Sequence, residues 1–340
     1  MGNRVNNKLL LTALGAGAFF AARALFRQGN SYSFRDRVVL ITGGSRGLGL
    51  LIARELAREG ARLAICARDE DELRRAQEEL SQRAEVIGIP CDITDRQQVE
   101  AFVQAAQNHF GQIDVLINNA GTINVGPMDV MTLEDYEQAM RAHFWGPLYA
   151  VLAVLPEMRR RGAGRIVNIS SIGGKISVPH LLPYSASKFA LVGLSEGLRA
   201  ELRKDGILIT TICPGLMRTG SPRNASFKGR HEAEYAWFKI SDSLPLISMD
   251  ARRAARQIID AARHGDAEVV LSIQAKAAAI FHGIFPGLTA DILSLVNQLL
   301  PQAGGIGAAR EKGRESESPL SRSWLTALTD QAAQENNEIH

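Results

Sequence analysis

Val38-Val39-Leu40-Ile41-Thr42-Gly43-Gly44-Ser45-Arg46-Gly47-Leu48-Gly49 is the stretch that decides the fold. Its first four residues form a short apolar run, the pattern of a parallel strand buried on both faces. Glycines follow at once, and residues 51–58 then read as helix. Glycines placed between a strand and a helix let the backbone approach a phosphate closely. The amino end of the helix adds free N–H groups and a positive dipole.

Outward from this unit the same alternation continues. Residues 62–67 read as strand, 70–81 as amphipathic helix, 86–91 as strand and 97–110 as helix. The run 113–117 is closed by Asn118-Asn119-Ala120-Gly121, and a long helical stretch, 133–161, follows with a gentle break at Gly146-Pro147. Residues 166–169 and 207–212 are further strands, the second ending in Cys213-Pro214-Gly215; 251–263 is helical and 268–271 the last strand. Alternation of this kind implies an α/β fold with parallel strands, right-handed crossovers and helices on both faces.

Chemistry concentrates between Ser170 and Lys188. Tyr184 and Lys188 are four apart in a helical run, so phenol and ammonium share one face. An ammonium beside a tyrosine favours the phenolate, which makes Tyr184 a candidate proton donor and acceptor at neutral pH. Ser171 stands at the carboxyl end of the 166–169 strand, the edge where open α/β sheets bind ligands. A hydroxyl there can hold a substrate oxygen while Tyr184 transfers a proton to it. Alone, the Tyr184–Lys188 spacing also fits an ordinary surface helix; the surrounding pattern favours the chemical reading.

The second strand ends in Arg68, where many dinucleotide folds carry an acid for the ribose 2′-OH. Arg46 in the glycine loop can reach the same group, and two guanidiniums suit a 2′-phosphate. NADP(H) is therefore expected over NAD(H).

Together, Thr42/Gly43/Gly47/Gly49, Asn118-Asn119-Ala120-Gly121, Ser171 thirteen residues before Tyr184, Lys188, and Pro214-Gly215 followed by Thr219 make a resemblance. Residues 36–272 resemble the short-chain dehydrogenase/reductase family, in its TGxxxGxG, NNAG and YxxxK branch. The resemblance implies a Rossmann-type, doubly wound parallel sheet of seven strands and NAD(P)-linked oxidoreduction. It makes Tyr184 the acid/base, has Lys188 bind the nicotinamide ribose and lower the Tyr184 pKa, and has Ser171 position the substrate carbonyl. It places the cofactor against Thr42, Gly43, Ser45, Arg46, Gly47, Leu48, Gly49, Asn119, Ala120 and Gly121. Asp92 would lie near the adenine and Thr219 near the carboxamide, and Ile93, Pro214 and Gly215 would also bind the cofactor. A homo-oligomer is the family habit.

One position departs from the pattern. The family carries an asparagine in an N-[FL]-x-G motif that holds a relay water, and here the sequence is His143-Phe144-Trp145-Gly146. Histidine can also donate and accept, so His143 is a candidate in a modified relay; equally it is a polar filler in a bent helix.

The flanks are of another character. Residues 9–26 are almost wholly apolar, with Arg23, Arg27, Arg35 and Arg37 at or beyond the end; a membrane anchor or monotopic contact that keeps the following domain on the cytoplasmic side is favoured, against a cleaved signal peptide or a buried helix. Residues 216–249 carry Pro222, Tyr235, Trp237, Phe238 and Pro245 and read as a substrate lid with an apolar wall. Residues 273–302 form an apolar helical extension, with packing on the body as the default and dimer or membrane contact as alternatives. Residues 303–340, rich in Gly, Ser and charge, are expected to be mostly flexible, with a short helix near Trp324.

Composition excludes other classes. A net charge of +3, with no basic block beyond Arg159-Arg160-Arg161, gives no nucleic-acid footprint. Three cysteines without ligand spacing give no metal site and suit a reducing compartment. The reading is thus an NADP(H)-dependent oxidoreductase reducing a lipophilic ketone or aldehyde. Its competitors are a non-catalytic NADP(H)-binding regulatory scaffold and a sugar-nucleotide epimerase or dehydratase, whose loop is usually TGxxGxxG.

Overall fold

The computed structural model describes residues 32–323 and 326–339. The seven strands of the central sheet are β1 (Val38–Thr42), β2 (Arg62–Ala67), β3 (Val86–Pro90), β4 (Val115–Asn118), β5 (Gly164–Ile169), β6 (Ile207–Cys213) and β7 (Glu268–Val270). They run parallel in the order β7-β6-β5-β4-β1-β2-β3. The order reverses at β1 and β4, and such a switch point opens a ligand crevice at the carboxyl ends of the strands.

β1 shows why the sheet is central. Val39 and Ile41 enter one core with α1 (Gly47–Arg58), α2 (Glu70–Leu80) and α8 (Ala251–His264). Val38 and Leu40 enter the other with α3 (Arg96–Phe110), α5 (Gly146–Arg161) and the end of α6 (Leu182–Leu202). All five β1 residues are buried, as a strand covered on both faces must be.

The long helical stretch is not simply bent at Gly146-Pro147. α4 (Leu133–Met140) passes into a π-helical turn, Arg141–Trp145, before α5 begins. The wider turn lies one residue before Gly146 and contains His143.

Two expectations for the carboxyl-terminal part are corrected. The helices α9 (Ile273–Ile284) and α10 (Pro286–Leu299) do not pack on the body along their length. Ile273 is 81% exposed, Leu295 63% and Leu299 86%, and Ala275 and Thr289 alone are buried in the two helices. Both faces of the sheet already carry their helices, α1, α2 and α8 on one and α3, α5 and α6 on the other.

The segment after it is not loose. Glu311–Lys312 pairs antiparallel with Ser226–Phe227, and α11 (Ala327–Glu335) lies on α7 (His231–Ser243). Lys239 of α7 reaches the Ser321 carbonyl and Asp330, at 2.9 and 3.0 Å. A polar segment orders here because buried ion pairs and backbone bonds replace an apolar core. Lys228–Asp135 (2.5 Å) and Arg310–Asp135 (2.8 Å) join the lid, α4 and the carboxyl-terminal segment.

Among the described residues no helix is long and apolar enough to cross a membrane. The 9–26 segment lies outside them. The three cysteines are free and buried, and among the described residues no group of three or more potential ligands could hold a metal.

Candidate active site

The crevice is built from the turns that follow β1, β4, β5 and β6. After β1, Gly43 (φ 67°) and Gly47 (φ 54°) adopt left-handed backbone that side chains disfavour. At Gly49 a Cβ would strike the Gly43 carbonyl and come within 2.5 Å of Asn119 Nδ2. Thr42 Oγ1 accepts from the Asn119 and Ala120 N–H groups at 3.0 and 3.2 Å, and Asn119 Nδ2 donates to the Thr42 and Gly43 carbonyls. These bonds lock the glycine turn to the Asn118–Gly121 turn. The resulting cradle, at the amino end of α1, fits a dinucleotide diphosphate.

Around it the other expected cofactor residues divide. Arg46 is tied to Glu72 at 3.0 Å, and Ser45 Oγ donates to the same carboxylate at 3.3 Å. Arg68 is exposed at the end of β2 and makes no ion pair among the described residues. Lys312, from the carboxyl-terminal segment, lies near both arginines: burial first, then Arg68 and Arg46, lower its pKa. Asp92 caps its own turn through Thr94 N–H and Oγ1, both at 2.9 Å. Ile93 packs against the α3/α5 core, its carbonyl against Gly146. The Pro214 carbonyl accepts from Ile172 N–H at 2.7 Å, which joins the β5 and β6 turns. Gly215 lies against Ser272 and Ala275, where α9 starts. Thr219 is buried and bonded to Ser221 at 2.8 Å.

Ser171 and Tyr184 meet as expected. Ser171 caps the turn after β5 and accepts from Gly173 N–H at 3.0 Å, and its hydroxyl hydrogen-bonds the Tyr184 side chain. Lys188 is buried, donates to the Ile169 carbonyl at 2.8 Å, and holds Nζ 5.7 Å from the Tyr184 ring centre. The electrostatics differ from the expectation that Lys188 lowers the Tyr184 pKa. Desolvation pushes the Tyr184 phenol up to about 12, against the Ser171 hydrogen bond, and burial brings the Lys188 ammonium down to about 8. Removing water from the phenolate dominates, and Asp242 and Cys213 add to the rise.

His143 is brought edge-on to Tyr184, with ring centres 5.3 Å apart. Nε2 accepts from Thr122 N–H at 3.1 Å, and Nδ1 faces Ser187 Oγ at 2.8 Å. Since Ser187 Oγ donates to the Tyr184 carbonyl at 2.7 Å, it must accept from Nδ1–H. Both ring nitrogens are therefore engaged in the neutral form. Burial, then Lys188, hold the His143 pKa well below its ordinary value.

Two groups in the crevice carried no recognisable sequence signal. His180 Nδ1 and Trp237 Nε1 both bond the fully buried Glu234, at 2.8 and 2.7 Å. His180 lies in the loop before Tyr184 and adopts φ 62°. The second group is Asn336-Asn337-Glu338, whose Asn336 carbonyl accepts from Gly47 N–H at 3.0 Å.

With this geometry in view, comparison with known proteins is direct. The profile of the short chain dehydrogenase family matches residues 37–228. The chain belongs to that family. A protein bearing the provisional name ketoacyl reductase, from Streptomyces coelicolor, is 38% identical over 220 residues, 62% of this chain and 84% of its own. The uncharacterised oxidoreductase YxnA of Bacillus subtilis is 30% identical over 266 residues, 77% of this chain and 72% of its own. Among solved structures, a short-chain dehydrogenase/reductase from Burkholderia phymatum in complex with NAD aligns with a TM-score of 0.70 at 27% identity, over 76% of this chain and 96% of the other. Levodione reductase aligns with a TM-score of 0.62 at 30% identity, over 72% and 99%. The protein is an NAD(P)-dependent oxidoreductase that interconverts a carbonyl and an alcohol on a small-molecule substrate.

Proposed function

We propose that the chain is an NADP(H)-dependent reductase of lipophilic ketones or aldehydes, with Tyr184 as its acid/base. The observation that carries this is the Ser171–Tyr184 hydrogen bond at the carboxyl edge of β5, with the buried Lys188 behind the ring. A nicotinamide bound in the crevice supplies or accepts the hydride. The chain's own residues handle the oxygen. Ser171 donates a hydrogen bond to the substrate oxygen, and Tyr184 delivers the proton as charge develops there. A phenol with its pKa near 12 is protonated at neutral pH and so holds the proton that reduction of a carbonyl consumes.

Lys188, held by the Ile169 carbonyl, orients toward the ribose side and keeps positive charge near the phenol. His143 is a positioning residue rather than a relay: no ring nitrogen is left for a water, and its bonds fasten the 121–122 turn to the helix of Tyr184. Arg68, Arg46 and Lys312 support a 2′-phosphate and hence NADP(H). An apolar substrate is supported by the cluster in which Tyr184 packs with Val178, Leu181, Trp237 and Phe238. The 9–26 segment supports association with a membrane through its apolar length and flanking arginines.

The test compares NADPH and NADH consumption against long-chain, polycyclic and small polar ketones. Turnover of lipophilic ketones with NADPH supports the proposal. Turnover confined to small polar sugars, or equal use of NADH, contradicts it.

A further inference from the structure

The amino end of α1 is where this family's cofactor phosphates belong, yet in this structure the chain's own carboxyl-terminal segment lies there. Asn336 takes the Gly47 N–H. Asn337 turns through φ 59°, and its side chain donates to the Ser45 and Glu72 carbonyls at 2.9 and 3.1 Å. This turn delivers Glu338 into the crevice. Glu338 Oε1 accepts from Gly220 N–H at 3.1 Å, and Oε2 accepts from Asn224 Nδ2 at 2.9 Å. So close is the carboxylate to the glycine loop that a Cβ on Gly47 would lie 2.8 Å from Oε1. Outside the crevice, Arg54 donates to the Glu335 carbonyl at 3.0 Å and Arg75 to Asn337 Oδ1 at 3.1 Å.

These contacts have the features of an anion site filled from within. A carboxylate lies against the glycine loop after β1 and accepts from Gly220, next to Thr219. Backbone N–H groups at both places are spent on the segment. The helix amino end at Gly47 and the neighbouring Gly220 N–H would otherwise receive a phosphate. The Glu338 carboxyl and a phosphate call on the same donors and fill the same space beside Gly47, so both cannot be held there together.

We infer that residues 336–338 compete with the cofactor's phosphates for the glycine loop, so that the carboxyl-terminal segment is an internal strap that must leave before a dinucleotide binds. The inference rests on the assignment of this crevice to the cofactor. It makes the apparent affinity for the dinucleotide equal to the intrinsic affinity multiplied by the fraction of molecules whose strap is open.

The experiment titrates NADPH and NADH into three proteins, following fluorescence of the bound nicotinamide. They are the full chain, a chain shortened to end at Glu335, and the full chain carrying Asn337→Ala and Glu338→Ala. The expected result is that both altered proteins bind at least about fivefold tighter than the full chain, with kcat at saturating cofactor unchanged. Hydrogen exchange on the unaltered full chain gives a second reading. The Glu338 N–H, bonded to the Ala333 carbonyl at 3.0 Å, should exchange faster once cofactor saturates the protein. Equal or weaker binding by both altered proteins, or a Glu338 amide as protected with cofactor as without it, overturns the strap while leaving the cofactor site standing. Failure of all three proteins to bind either dinucleotide overturns the site assignment and the strap with it.

Discussion

Tyr184 keeps its proton through the neutral range because desolvating a phenolate costs more than the Ser171 bond recovers. Two consequences are measurable. Tyr184→Phe should lower kcat for carbonyl reduction by about 10²–10⁴-fold, the usual worth of a positioned acid. Its melting temperature should stay close to that of the parent, since only one net hydrogen bond, about 1 kcal/mol, is lost. Reduction should be nearly flat between pH 6 and 8, whereas alcohol oxidation, which needs a proton acceptor, should rise with pH. Rate profiles in the two directions check this. His143 gives a stability test. Its pKa is lowered in the fold, so below about 6.5 the unfolded chain binds a proton that the folded chain does not, and stability falls as pH drops. In His143→Asn that acid penalty is absent. The melting-temperature difference between variant and parent should therefore shift in the variant's favour between pH 7.5 and pH 5.5. The difference cancels the buried carboxyls common to both proteins. The juxtaposition of Ser171, Tyr184 and Lys188 was legible because one helix and one strand end bring them together. The balance of burial against charge was not, since it depends on packing from elements distant in sequence.

At the scale of elements, the glycine loop is rigid by exclusion. Gly49→Ala places a methyl against the Gly43 carbonyl and Asn119. Overpacking of this kind costs about 1–3 kcal/mol, which a denaturant midpoint will register together with weaker cofactor binding. The buried Asp135 shows how the polar carboxyl-terminal segment is held. Lys228→Met leaves Arg310 as the one cation on the buried Asp135 carboxylate and should cost about 3 kcal/mol, read from the same midpoint. The strap has a pH dependence of definite sign. Burial pushes Glu338 up to about 7 against Arg46, Asn224 and Gly220, with Glu72 adding to the rise, and Asp242 on α7 is pushed up to about 8 by burial and by Glu338. The docked state therefore binds protons that the released state does not. Docking is strongest below about 4.5 and weakens as pH rises through about 7. The tightening of NADPH binding on removal of residues 336–340 should shrink between pH 6 and pH 8, measured by parallel titrations. None of this could be read locally, because Asn337 and Ser45 are 292 residues apart and no periodic pattern links them.

For the whole molecule, the doubly wound sheet was legible because each strand–helix unit is written in consecutive residues, and parallel order follows from repeated crossovers. The break in the long helix reads at Gly146-Pro147 because Gly and Pro are the visible breakers, whereas the π turn at Arg141–Trp145 leaves no composition mark. The α9–α10 hairpin read as ordinary packing because its apolar periodicity says only that a face wants cover, not whether the sheet has room. The central claim is that the Ser171–Tyr184–Lys188 constellation reduces a lipophilic carbonyl with NADPH. The measurement that tests it most directly follows NADPH absorbance against a panel of ketones in the parent and in Tyr184→Phe. The account predicts NADPH consumption with lipophilic ketones that is lost in Tyr184→Phe although the cofactor still binds. Undiminished turnover in Tyr184→Phe would contradict it.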